Sequence, residues 1–88
     1  MTAIVLNSKA FSSVEIDEEV VVMNNATGDT FSIVGTARAI WQLIDGARSR
    51  DAIVAALAAE YQAPEERIAG EVDAFLAELA GAGLLARG

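Results

Sequence analysis

The chain has 88 residues, no cysteine, no histidine, and a formal charge of -7 from 6 Lys plus Arg against 13 Asp plus Glu. Thiol nucleophiles, disulfides, imidazole bases and the usual zinc ligands are therefore excluded, and an acidic balance of this size repels nucleic-acid phosphate and anionic lipid. The length suits a single small domain with one core; no apolar run approaches the roughly 18 residues of a membrane span and no secretory signal opens the chain, so the expected location is cytoplasmic.

Residues 1–10 read either as a flexible lead or, through Ile4-Val5-Leu6, as an additional edge strand or a segment packed on the body. From Phe11 to Ile16, Val14 and Ile16 alternate with Ser13 and Glu15, the period of a half-buried strand. Asp17-Glu18-Glu19 makes a charged turn, and Val20-Val21-Val22-Met23 is a β-branched run of strand type. Asn24 to Asp29 supplies Asn and Gly residues that tolerate a turn, and Thr30 to Val34 is the return strand, with Phe31 and Ile33 on its apolar face.

Gly35-Thr36 then breaks the strand. Thr36 is the expected N-cap of a first helix whose Ala37, Ile40, Trp41 and Ile44 fall at i, i+3, i+4 and i+7, and Asp45-Gly46 ends it. Ser49 caps a second helix with the stripe Ile53, Val54, Leu57 and Tyr61 and with Asp51 in its first turn, stopping near Gln62. Pro64 suits the first turn of a third and longest helix, where Glu65 and Glu66 complement the positive end of the dipole. Ile68, Val72, Phe75 and Leu79 form its core stripe, widened by Ala69, Leu76 and Ala80, and Gly81 and Gly83 let Leu84-Leu85 fold back on the body. The sum is an α+β fold of the winged helix-turn-helix type: a three-stranded antiparallel sheet followed by three helices.

Few constellations suggest chemistry. The Glu15 and Asp17-Glu18-Glu19 cluster has no EF-hand spacing and reads as a solvated hairpin turn. Glu71 and Asp73 stand two apart on a helix and do not converge for acid–base work. No serine sits in the helix-start context that carries phosphopantetheine. A DNA-reading helix needs exposed Arg, Lys, Asn or Gln, whereas the second helix offers alanines and the third mostly carboxylates. Trp41 and Phe31 are expected to fill the core; Phe75 and Leu76 are candidates to line a gap beside an unpaired strand.

That gap is the feature of most functional interest. The return strand carries no Lys, Glu or Pro between Thr30 and Val34, the devices with which proteins blunt an exposed edge. A long helix beside such an edge provides side-chain pockets for an added strand, and the expected helix wall is Ala69, Val72, Asp73, Leu76 and Ala80.

Thr27-Gly28 closing the turn, the strand Thr30 to Ile33, Thr36-Ala37 with Ile40-Trp41 and Leu43-Ile44, Ile53 with Leu57, and Val72-Asp73-Ala74-Phe75-Leu76 through Leu84-Leu85 follow an order that resembles the PqqD-like family, over about Val14 to Leu85. Members of this family are recognition elements for ribosomally made precursor peptides. The resemblance implies an extended leader peptide paired to the third strand, here Asp29, Thr30, Phe31, Ser32, Ile33 and Val34, with Ala69, Val72, Asp73, Leu76 and Ala80 opposite. It further implies a non-catalytic protein without cofactor or metal, a monomer or weak dimer, delivering the precursor to a maturation enzyme. That enzyme is a leader peptidase acting with a cyclase in lasso-peptide systems, or a radical SAM enzyme in quinone-cofactor systems. Ile33-Val34 stand where the quinone-cofactor chaperone has Leu-Asn, and its proline-bearing second strand is missing, so the chain looks closer to the stand-alone lasso-peptide subunit. The alternatives are a chaperone presenting a precursor to a radical SAM enzyme, a winged-helix DNA-binding protein, and a subunit whose edge pairs with itself.

Overall fold

The computed structural model describes residues 3–87. In chain order the elements are β1 (Val5–Leu6), β2 (Phe11–Ile16), β3 (Glu19–Asn24), β4 (Thr30–Ile33), α1 (Gly35–Leu43), α2 (Arg50–Tyr61), α3 (Glu65–Gly81) and β5 (Leu85–Arg87). β2, β3 and β4 form an antiparallel sheet in that spatial order, followed by the three helices. The segment Ile4-Val5-Leu6 does not extend that sheet. β1 pairs antiparallel with β5 in a separate two-stranded ribbon, while Ile4 donates its N–H to the Arg48 carbonyl (3.0 Å) and buries its side chain.

The register decides which side of the sheet meets the core. Ser13 faces Val22, Glu15 faces Val20, and Val20 and Val22 in turn face Ile33 and Phe31. Directly opposed residues share a face, so the inner side of β2 presents Phe11, Ser13 and Glu15, whereas Val14 and Ile16 point away from the helices and are exposed. The expected burial of Val14 and Ile16 is thereby corrected. Of the inner polar residues of β2, Glu15 is met by α1: it accepts from Gln42 Nε2 at 3.1 Å and lies 3.3 Å from Arg38 Nη2. Phe11 makes an edge-to-face contact with Trp41, ring centroids 5.4 Å apart.

Val20, Val22 and Ile33 join Ile40 and Ile44 of the α1 region, Ile53, Val54 and Leu57 of α2, Ile68, Val72, Phe75, Leu76 and Leu79 of α3, and Leu84 in one buried cluster. Tyr61, placed by periodicity in the α2 stripe, is exposed in the last turn of α2, just before Gln62 stops the helix in the left-handed region. Ser49 caps α2 by accepting the Ala52 N–H. α1, by contrast, begins two residues earlier than expected: Val34 occupies the capping position without a side-chain bond, and Gly35 at φ +62° turns the strand into the helix, so Thr36 lies inside it.

Gly70 sits in the exposed interior of α3, and a Cβ added there meets nothing within 4 Å. Gly70→Ala is therefore expected to stabilise the protein by about 0.5–1 kcal/mol, read as a rise in the thermal midpoint by circular dichroism.

Candidate functional site

Between β4 and the C-terminal half of α3 runs an open cleft of about 720 Å³. Its strand side is Asp29 to Ile33, its far wall is Phe75, Glu78 and Leu79 with Gly81 and Ala82, and Ala37 and Leu84 close the floor. These positions converge because 75, 78, 79 and 82 fall at i, i+3, i+4 and i+7, one face of the helix and its C-cap.

β4 is the edge of its sheet: it pairs with β3, and no strand among the described residues lies on its other side. The Asn24 N–H donates to the Asp29 carbonyl at 2.8 Å. Bonded pairs in an antiparallel ladder recur at every second residue, so Phe31 bonds to Val22 and Ile33 to Val20. The backbone N–H and C=O groups of Thr30 and Ser32 consequently point outward along the open edge. Such a row is a template for an extended chain, whose inward side chains would enter the cleft beside Phe31, Phe75 and Leu79.

The turn that precedes β4 is tied to the far wall. Asn24 Oδ1 accepts the N–H groups of Ala26 (2.8 Å) and Thr27 (3.2 Å), while its Nδ2 donates to the Ala82 carbonyl at 2.8 Å. Gly28 at φ +80° donates to the Asn24 carbonyl, and Thr27 Oγ1 accepts the Asp29 N–H. One side chain thus holds the start of the edge strand and the end of α3 at a set distance.

The sequence matches the family described as coenzyme PQQ synthesis protein D (PqqD) over residues 19–85. The chain belongs to the PqqD family. Among solved structures, this PqqD-family chain is similar to one described as TbiB1 in complex with the TbiA(beta) leader peptide, at 32% identity and a TM-score of 0.80, with 88% of this chain and 90% of that chain covered. No curated protein matches the chain.

In this PqqD-family chain the cleft takes in Asp29, Thr30, Phe31, Ser32 and Ile33 of the expected strand; Val34 lies just beyond it, beside Gly35 and the β2–β3 turn. The expected helix wall is differently placed. Val72 and Leu76 are buried in the core, Ala69 is half-buried beside them and Ala80 is exposed, and none of these lines the cleft. Asp73 faces α2, where the Arg50 guanidinium donates Nε to Oδ1 and Nη2 to Oδ2, both at 2.8 Å. That hydrogen-bonded guanidinium holds the Asp73 carboxyl below the ordinary carboxylate range. The physical reason is the rotation of α3: Asp73 is turned toward Arg50 of α2 and Val72 and Leu76 toward the core, which leaves the 75-78-79-82 face for β4. Phe75 was legible as a gap-lining candidate, whereas Leu76 belongs to the core. Glu78 and Ala82 were missed, since a helical glutamate before a C-terminal glycine reads as a surface residue.

The electrostatics of the cleft are one-signed. Asp29 and Glu78 are its charged members and no Lys or Arg lines it. Its chemistry is that of a receptor: an apolar floor, a backbone edge and two carboxylates suited to a basic side chain of an incoming peptide.

Proposed function

We propose that this PqqD-family protein holds the leader of a ribosomally made precursor peptide as an added strand on β4, without catalysis, and brings it to a maturation enzyme in the cytoplasm. The observation that carries the reading is the open edge of Thr30 and Ser32 beside an apolar cleft, in a chain 32% identical to a protein solved with a leader peptide bound. Backbone pairing supplies affinity, and Phe31, Phe75 and Leu79 receive alternate side chains of the leader. Holding the precursor raises its concentration near the enzyme. The lasso-peptide setting, with a leader peptidase as recipient, is favoured by the likeness to TbiB1, a protein solved with a leader peptide.

Titrating a fluorescently labelled leader, taken from the precursor encoded beside this protein, is expected to show saturable anisotropy that persists from low to high salt. Phosphate-type contacts would lose several orders of magnitude over such a range, whereas strand pairing depends little on counterions. Absence of saturable binding at both salt concentrations overturns the reading.

A further inference from the structure

The side of the sheet turned away from the helices carries an uncovered apolar patch. Val14 and Val21 oppose one another directly across β2 and β3, and Ser12 and Ile16 are opposed by Met23 and Glu19. Val14 is 53% exposed, Ile16 54%, Met23 42%, and Val34, which borders Ile16 at the end of the sheet, 55%. Together they are four of the five large hydrophobic side chains exposed among the described residues. Scattered exposed apolar residues are ordinary, but a contiguous set on one face marks an interaction surface.

Charge selects the occupant. Phe11 to Val34 contains five carboxylates, Glu15, Asp17, Glu18, Glu19 and Asp29, and no Lys or Arg. Glu15 turns inward to Arg38, while Asp17, Glu18 and Glu19 border Ile16 and Val34. A second copy would bring two acidic rims together and is disfavoured. A protein that presents apolar side chains ringed by Lys and Arg is matched. The leader cleft opens on the opposite, helix-facing side of β4, so both surfaces can be occupied at once.

We infer that the outer face of the sheet, centred on Val14, Ile16 and Met23 and rimmed by Asp17 and Glu18, is the docking surface for a basic-rimmed apolar patch on the enzyme that processes the bound precursor. The inference rests on the leader-binding reading. From strand spacing the face covers on the order of 250 Å², the size of the apolar centre of a transient contact rather than an obligate one.

Two variants test it, Val14→Lys/Ile16→Lys and Asp17→Asn/Glu18→Lys, the second changing solvated rim positions and keeping at Asp17, φ +57°, a side chain that tolerates the left-handed region, so that the fold is retained if the first loses it. Each is titrated with labelled leader and, separately, with the purified leader peptidase encoded with the precursor. The expected result is leader affinity within about two-fold of the parent and peptidase affinity at least about ten-fold weaker, with the parent peptidase complex also weakening as salt rises. Parent-like peptidase binding by a folded variant overturns the inference, as does a parent protein that sediments as a dimer which Val14→Lys/Ile16→Lys converts to monomer. Failure of the parent to bind leader is read from the leader titration alone and defeats the leader-binding reading instead.

Discussion

Ser32→Pro is expected to weaken leader binding by at least about ten-fold while the protein remains folded. The register places the Ser32 N–H on the open side of β4, where proline removes a donor that the sheet does not use. A backbone hydrogen bond contributes about 1 kcal/mol net, and the proline ring also obstructs the approach of the neighbouring strand, so the combined loss reaches or exceeds about 1.4 kcal/mol, one decade in affinity. The structural cost is smaller. The Ser32 hydroxyl's bond to the Glu19 carboxylate is lost, but it lies on the exposed face. Phe31→Pro provides the contrast, because the Phe31 N–H faces Val22 and its removal breaks the ladder. Anisotropy titration with far-ultraviolet circular dichroism reads both. A folded Ser32→Pro protein with undiminished binding would show that the leader does not pair with β4.

Asn24→Ala is expected to cost about 2 kcal/mol of stability and to weaken leader binding as well. The substitution deletes two hydrogen bonds within the β3–β4 turn and the long-range bond to the Ala82 carbonyl, each contributing roughly 0.5–1.5 kcal/mol. For a domain of this size 1 kcal/mol shifts the thermal midpoint by about 4–8 °C, so a fall of about 8–16 °C should be seen by calorimetry. Binding falls because Asn24 sets the spacing between β4 and the end of α3, the two walls of the cleft. Asn24→Asp separates the two roles: its carboxylate still accepts from Ala26 and Thr27 but cannot donate to Ala82. It should recover part of the stability and little of the affinity. Equal recovery of both would mean that the turn alone, and not the tether to α3, shapes the site.

Much of the molecule is legible in the sequence. The strand pair around Asn24 to Asp29, the Ser49 cap, the stop at Gln62 and the helix opened by Pro64 all followed from short-range rules, because caps and turns are satisfied by residues a few positions away. The open edge could also be read: the absence of Lys, Glu and Pro from Thr30 to Val34 is a property of composition.

What local rules could not settle were the choices between two faces of one element. Alternation in β2 is equally consistent with Val14 and Ile16 inside or outside, and hydrophobicity argued for inside. The register with Val20 and Val22 turned them out, and Arg38 and Gln42 on α1 made Glu15 tolerable within. In α3 the apolar positions wrap around more than one face, so Ala69, Val72, Leu76 and Ala80 were as plausible a wall as Phe75, Glu78 and Leu79.

The amino-acid sequence by itself determined the order and kind of the elements, the acidic character, the lack of thiol and imidazole chemistry, and the strand that carries an unblunted edge, because each depends on residues near one another or on composition. The tertiary structure alone decided the rotation of α3, the face of β2 and the tether from Asn24 to Ala82. These depend on which surfaces bury together at long range, where the Arg50–Asp73 pair and the packing of α2 on α3 aim one helical face at α2 and leave the next for the cleft.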